Sequence, residues 1–170
     1  MKYVYAVIFS VIVLLMQMLL VPVISFVGIE PDFIIIFIAL IGCYFGKTTI
    51  PLVAVVLGCA FDLTANGNIF INTVSYIVCA AGLVAFRIFS DEVEFPVYLI
   101  ATAAFVIIKG FVTMCGLYVL ELSEGILLIV LLKSIPSAIY TTLLAIPFYY
   151  MFKLLLKFNI KKKNDNFLPI

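Results

Sequence analysis

Two lysines interrupt apolar segments of the chain, and they are its strongest candidates for chemistry. Lys109 lies deep inside one run of hydrophobic residues, and Lys133 lies inside the next. An unpaired charge in hydrocarbon is expensive, so we expect Lys109 to find a carboxylate, with Asp62 as its partner, or to face a wet cavity. We expect Lys133 to reach Asp32 or Asp62, or to extend its ammonium outward. A structural ion pair, a substrate or transport role and the docking of a partner are the alternatives for both lysines.

Most other catalytic and metal-binding chemistry lacks the residues that it requires. The chain has no histidine, which excludes imidazole catalysis and histidine-ligated metal. Gly46-Lys47-Thr48 looks like the end of a phosphate-binding loop, but Ile41 occupies the position where that loop needs glycine. The cysteines are far apart within apolar segments, which favours packing residues over zinc ligands or disulfides. They are Cys43, Cys59, Cys79 and Cys115. We therefore expect no enzyme and no cofactor.

Composition indicates a membrane protein. The chain has 170 residues, of which 66% are hydrophobic and 11% charged, and its mean hydropathy is +1.35. Such values exclude a soluble domain, and the length has room for one integral-membrane domain over residues 1–170. The predicted fold class is all-α, a polytopic bundle of about six transmembrane helices.

Turn-forming and charged residues divide the chain into its expected spans. These are roughly residues 3–27, 33–46, 49–63, 69–88, 96–120 and 126–152, followed by a basic tail over 153–170. The first segment is too long for a signal peptide and has no small-x-small cleavage site, so we interpret it as an uncleaved span. The second and third are short for a hydrocarbon core of about 30 Å, which leaves two short crossings, the preferred interpretation, or a re-entrant hairpin.

Charges predict the orientation of these spans. Lysine or arginine occurs in every second break between apolar runs, at Lys2, Lys47, Arg87 and the cluster from Lys153 to Lys163. The other breaks carry only acids, which are Glu30, Asp32, Asp62, Glu121 and Glu124. Short cytoplasmic loops are rich in lysine and arginine, so both termini are expected in the cytoplasm. The lysine-rich tail is expected to lie on anionic lipid and not on nucleic acid.

Tyrosines are expected at both membrane interfaces, since the chain has no tryptophan. Tyr118 marks the outer interface. The inner interface is marked by Tyr3, Tyr5, Tyr44, Tyr98, Tyr149 and Tyr150.

Small and polar residues recur at helical spacing, which predicts either helix–helix packing or the lining of a ligand cavity. Gly42 and Gly46 form a GxxxG pair. The other faces are Ala54, Gly58 and Asp62; Asn72, Ser75, Cys79 and Gly82; Thr102, Lys109, Thr113 and Gly116; and Ser134, Ser137 and Thr141.

One set of motifs runs from the second segment to the fourth. Pro31-Asp32 opens a helix rich in Leu, Ile and Phe, and Leu57-Gly58 is followed by Asp62-Leu63. A glycine turn at Gly67 leads to a fourth segment that contains Asn72 and Tyr76. This set resembles the MreD family of rod shape-determining membrane proteins. Family members often carry another glycine shortly after that turn, where this chain has Phe70.

The resemblance implies a non-catalytic component of the machinery that elongates rod-shaped bacteria, located in the cytoplasmic (inner) membrane. Its implied partners are MreC above all, then MreB filaments, the glycosyltransferase RodA and its class B penicillin-binding protein. Gly42 and Gly46 on one face, with Asp32 and Asp62 on an acidic outer rim, are expected to help dock MreC.

Two alternatives belong to other classes. Substrate-binding subunits of energy-coupling-factor vitamin transporters have a similar length and number of spans, and the MreD fold is thought to resemble theirs. In that case a vitamin pocket would be formed by Asn66, Asn68, Asn72, Glu121 and Lys133. The lack of tryptophan and the Pro-Asp and Gly-x-x-x-Asp motifs disfavour it. The second alternative is a small secondary transporter that uses Lys109 and Asp62 as a coupled pair, but the sequence shows no inverted repeat to support it.

Overall fold

The computed structural model of the chain describes residues 2–26, 28–44, 48–64, 70–89, 95–119 and 124–165. In chain order its helices are α1 (Lys2–Leu19), α2 (Val21–Ile24), α3 (Phe33–Tyr44), α4 (Thr49–Thr64), α5 (Ile71–Phe89), α6 (Phe95–Val119) and α7 (Glu124–Asp165). These ranges contain no strand, only an isolated bridge between Phe26 and Ile29. The prediction of an all-α fold is confirmed.

Two helices differ from the segments predicted for them. The first segment is divided into α1 and α2, because Pro22 lacks the amide hydrogen that would continue the hydrogen bonding of α1. The last helix passes through Pro136 and Pro147 and continues to Asp165, well into the segment expected to be a tail.

Helix α3 is the core of the bundle. Every residue from Phe33 to Gly42 is buried, and the helix packs against α1, α4, α5, α6 and α7. A helix that is apolar on all sides must be covered on all sides, so its Ile- and Phe-rich sequence explains its central position.

The longer helices that follow one another run in opposite directions around α3. One cavity is lined by residues near the ends of α1 and α4, Gln17 and Phe61, and by Gly110 of α6. Asn72 near the start of α5 and Ser134 from the first half of α7 line the same cavity. We call this end of the bundle the cavity end.

An aromatic cluster occupies the opposite end. The ring of Tyr149 lies 4.9 Å from that of Phe95, 5.3 Å from that of Tyr98 and 6.3 Å from that of Tyr44, measured between centroids. The sequence places these tyrosines at one membrane interface, and they do lie at one end. However, Tyr98 and Tyr149 are buried among other rings, whereas Tyr150 is exposed. The side chains of Tyr3 and Tyr5 lie outside the described part of the structure.

Among the described residues, two helices are long and apolar enough to cross a membrane. They contain the stretches Phe95–Tyr118 and Leu132–Leu154, and only 22% of the most apolar window of each is buried. Such low burial is unlike the core helix of a soluble protein. Shorter apolar stretches are Val7–Leu19, Phe33–Tyr44, Thr49–Thr64 and Ile71–Phe86.

Candidate functional site

Asp32, the residue before helix α3, lies inside the bundle and is only 4% exposed. The Asp32 carboxylate accepts a hydrogen bond from the amide of Ile35 at 3.0 Å, the contact of a helix N-cap. The amide of Phe33 donates to the Gln17 side chain at 2.8 Å, and that of Asp32 donates to the Thr141 hydroxyl at 3.1 Å. Side chains from α1 and α7 therefore satisfy amides that a buried helix start would otherwise leave free.

Lys109 of α6 is the charge partner of Asp32. Its ammonium donates to Oδ2 of Asp32 in an ion pair and to the Tyr76 hydroxyl at 2.9 Å. The Tyr76 hydroxyl in turn donates to Oδ2 of Asp32 at 3.1 Å. The ammonium also lies 4.7 Å from the centre of the Tyr76 ring, within the range of a cation–π contact. Asp32, Lys109 and Tyr76 thus form a closed network that joins α3, α5 and α6.

The expectation that Lys109 pairs with Asp62 is wrong. Asp32 takes that place because the buried start of α3 lies against both α5 and α6, whereas Asp62 is bound to α5. The more general expectation that Lys109 finds a carboxylate is confirmed. The Lys109 side chain is 19% exposed and also lines the cavity.

Asp62 caps the neighbouring helix α5. Its carboxylate accepts hydrogen bonds from the Asn72 side chain at 2.9 Å, the Thr73 amide at 2.8 Å and the Thr73 hydroxyl at 2.6 Å. These donors belong to the first turn of α5, where a negative charge also interacts favourably with the helix dipole. Asp62 therefore ties the end of α4 to the start of α5.

Gly58 explains the Gly-x-x-x-Asp spacing. It is buried one turn before Asp62, and a Cβ at this position would lie 2.6 Å from the Cα of Thr73. The backbones of α4 and α5 therefore approach closely where Gly58 lies, and Asp62 closes the same contact one turn later. The motif is a clamp between two helices.

Phe70 has the backbone conformation of a glycine. Its φ is 64°, in the left-handed region that costs a residue with a side chain about 1–2 kcal/mol. The resemblance described above leads to the expectation of a glycine near this position. Gly67, which is expected in the same turn, lies outside the described residues.

The cavity has a volume of about 290 Å³ and gathers several of the predicted site residues. Those that line it are Pro31, Asp32, Asn72, Lys109 and Lys133, together with Gln17, Gly28, Ile29, Glu30, Phe61, Val106, Gly110, Thr113, Val130, Ser134 and Ser137. Lys133 is exposed, and its ammonium lies 2.9 Å from where a Cβ on Gly28 would be. Among the described residues it pairs with neither Asp32 nor Asp62.

The surface expected to dock a partner is largely inside the protein. Gly42 is buried, and a Cβ there would overlap Leu83 of α5 in the same chain. Asp32 is covered by α3, α5 and α6 through the network just described. The expectation that Gly42 and Asp32 form an external docking face is therefore corrected, because the chain's own helices occupy both. Gly46 and Lys47 lie outside the described residues, as do Asn66, Asn68 and Glu121 of the alternative vitamin pocket.

Gln17 is a site residue that the sequence interpretation missed. Besides holding the Phe33 amide, its side chain donates to the Pro31 carbonyl at 3.5 Å. The signal was present, since an amide inside an otherwise apolar run needs a partner. Glu30, in the wall of the cavity, was assigned only to the acidic loop.

The carboxylates of Asp32 and Asp62 each accept several hydrogen bonds from neighbouring helices, an arrangement that fixes those helices. Within the described ranges no group of three or more His, Cys, Asp or Glu residues could hold a metal ion. No family model, curated protein or solved structure matches the chain.

Proposed function

We propose that this chain is a non-catalytic, six-span scaffold of the bacterial cytoplasmic membrane and a member of the MreD family. In the elongation complex it regulates cell shape and lateral peptidoglycan synthesis. It does so through contacts within the membrane with MreC, and in the same complex as MreB, RodA and the class B penicillin-binding protein.

The main observation behind this proposal is that residues of the MreD-like motifs contact one another in the folded chain. Asp32 from the Pro-Asp motif accepts a hydrogen bond from Tyr76, 44 residues later. Asp62 from the Gly-x-x-x-Asp motif holds Asn72 and Thr73. Residues that are scattered along the sequence thus act together to position α3, α4 and α5. In a family of scaffolds without a catalytic centre, motifs are expected to hold helices in place.

The surface of the bundle supports six spans. The helices around α3 all expose large apolar side chains, for example Leu15, Val56, Ile77, Ile107 and Ile139. Apolar exposure on every side is expected of a protein in lipid and is far more than a soluble monomer shows. Helix α3 extends only about 18 Å over its 12 residues. It is shielded from lipid by the other helices, so it does not have to match a hydrocarbon core of about 30 Å.

The two ends of the bundle suit opposite faces of the membrane. Glu30, Asp32 and Asp62 lie at the cavity end, which in this proposal faces outward. Lys153 lies beyond the aromatic cluster at the other end, on the cytoplasmic side with both termini.

Partner helices dock on the outer apolar faces. Gly42 and Asp32 are occupied within the chain, so the single span of MreC is left with the lipid-facing side chains of the peripheral helices. Binding there would leave the buried network intact and would require no chemistry from the scaffold.

A second candidate function is favoured by the cavity. Asn72 and Lys133, two residues of the alternative vitamin pocket, both line it. A substrate-binding subunit of an energy-coupling-factor transporter would hold its vitamin at this end of the bundle.

Depletion of the protein in its own host tests the proposal against this alternative. Rod-shaped cells are expected to become round, and re-expression of the wild-type chain is expected to restore them. Cells that keep their shape but lose uptake of a vitamin would show the transporter function instead.

A further inference from the structure

We propose that the cavity binds a zwitterionic group that combines a primary ammonium with an anionic oxygen group. Glu30 would receive the ammonium and Lys133 the anion. This binding does not depend on whether the chain acts as a scaffold or as a transporter subunit.

The two residues carry opposite charges that are left uncompensated within the described structure. Both side chains are exposed, and both residues line the same cavity. Among the described residues neither forms an ion pair, not even with the other. A separated carboxylate and ammonium in one cavity can be bridged by a ligand with the complementary pair of charges.

The remaining charges of the cavity do not compete for such a ligand. Asp32 and Lys109 neutralise each other, so the charges of the four lining residues sum to zero. A net-neutral wall favours a zwitterion over a simple anion or cation, because either of these would leave one wall charge unsatisfied.

The cavity also supplies hydrogen-bonding groups and a suitable size. The Ser137 hydroxyl donates to the Glu30 carbonyl at 2.6 Å and the Ser134 hydroxyl donates to the Val130 carbonyl at 2.8 Å, so both oxygens keep acceptor capacity. A volume of about 290 Å³ is close to the lower limit of small-molecule pockets. It fits a headgroup or an amino acid better than a large cofactor.

Two sources could supply this chemistry, a phosphatidylethanolamine headgroup and a free amino acid. Lys133 lies about 10 Å from the start of the apolar segment predicted at 126–152, at 1.5 Å per residue. Its long side chain can carry the ammonium toward the membrane surface, where either source can reach it.

Native mass spectrometry of the full-length protein in detergent tests the inference. The probes are phosphatidylethanolamine, phosphatidylglycerol and phosphatidylcholine with identical acyl chains. We expect phosphatidylethanolamine to bind about tenfold more tightly than the other two, since only it offers both the anion and an N–H donor. Glu30→Gln should abolish the preference, because Glu30 receives the ammonium that distinguishes the lipids. Lys133→Gln should weaken the binding of all three lipids, which share the phosphate, whereas Lys153→Gln, a control lysine on the same helix, should change neither.

Free alanine distinguishes the sources, with thermal unfolding followed by circular dichroism. Stabilisation by alanine that both cavity variants lose, without any lipid preference, would identify a free zwitterion and support the inference. Equal binding of phosphatidylglycerol and phosphatidylethanolamine without alanine binding would overturn it, as would a preference that survives Glu30→Gln. Glu30 lies outside the helices, so its variant remains informative if the lysine variant fails to fold.

Discussion

The ammonium of Lys109 forms an ion pair with the carboxylate of Asp32, which lies 77 residues earlier in the chain. This contact joins α6 to the first residue before α3, the helix around which the bundle is built. Because Asp32 also caps α3, one carboxylate fixes both the start and the neighbours of the central helix. The ion pair is thus a structural element of the core.

Removal of one member of this pair is expected to cost more than removal of both. Lys109→Met leaves the buried Asp32 carboxylate without its counter-charge, so we expect the free energy of unfolding to fall by about 3–5 kcal/mol. The double variant Lys109→Met/Asp32→Asn should recover part of this loss, because asparagine is neutral and still caps a helix. Thermal and denaturant unfolding in detergent, followed by circular dichroism, measures both effects.

Lys153→Met is the matched control for the ion pair, since Lys153 is exposed on α7. It should change stability by less than about 0.5 kcal/mol. Additive losses in the double variant would contradict the pairing of Lys109 with Asp32.

The close approach of α4 and α5 predicts opposite effects for two glycines. Gly58→Ala places a Cβ against the backbone of Thr73, so we expect a loss of about 1–3 kcal/mol from overpacking. Gly82→Ala meets only the Phe105 ring at 3.5 Å, an ordinary contact, and should be neutral or gain up to about 1 kcal/mol of helix propensity. The same unfolding assay compares them, and equal tolerance of both alanines would argue against the clamp.

Replacement of Phe70 by glycine should stabilise the protein. Phe70→Gly removes the strain of a positive φ, and we expect a gain of about 1 kcal/mol in unfolding free energy. Phe70→Ala keeps the strain and loses the phenyl contacts, so it should be no more stable than the wild type. The melting temperatures of the three proteins decide the point. A glycine variant that melts below the wild type would show that the ring contributes more than the backbone conformation costs, and one that melts below the alanine variant would contradict the strain.

The orientation of the bundle is testable with single cysteines. In a variant whose native cysteines are replaced, Thr64→Cys at the end of α4 and Lys153→Cys on α7 place exposed thiols at opposite ends. In intact cells an impermeant maleimide should label the cysteine at position 64 and should label position 153 only after permeabilisation. The reverse pattern would invert the proposed topology.

The helices were predictable because hydrophobic runs and turn formers define them locally. The fourth helix, for instance, is predicted at 49–63 and lies at Thr49–Thr64, and the sixth is predicted at 96–120 and lies at Phe95–Val119. The first segment is divided at Pro22. Proline is a local signal in the sequence, but the hydrophobicity of the segment does not reveal it. The length of α7 could not be predicted from apolarity, because its end is a polar helix.

The sequence predicted which residues belong to the site better than it predicted which of them contact each other. The cost of a buried charge indicates that Lys109 needs a carboxylate, but the choice between Asp32 and Asp62 depends on which helix lies at the centre. That choice is made by tertiary packing, which buries the start of α3 beside α6. The GxxxG spacing of Gly42 and Gly46 predicts a close approach of another helix. The structure places Gly42 against the Leu83 side chain of the same chain, and that partner depends on tertiary packing.

Affinity purification of the tagged protein from its own membranes in mild detergent, followed by mass spectrometry of bound proteins and small molecules, tests the scaffold function most directly. An untagged strain provides the background. We expect MreC and RodA to be enriched in the eluate, without a vitamin. A bound vitamin together with an ATPase module, and no elongation proteins, would contradict the proposed function and identify the chain as a transporter subunit.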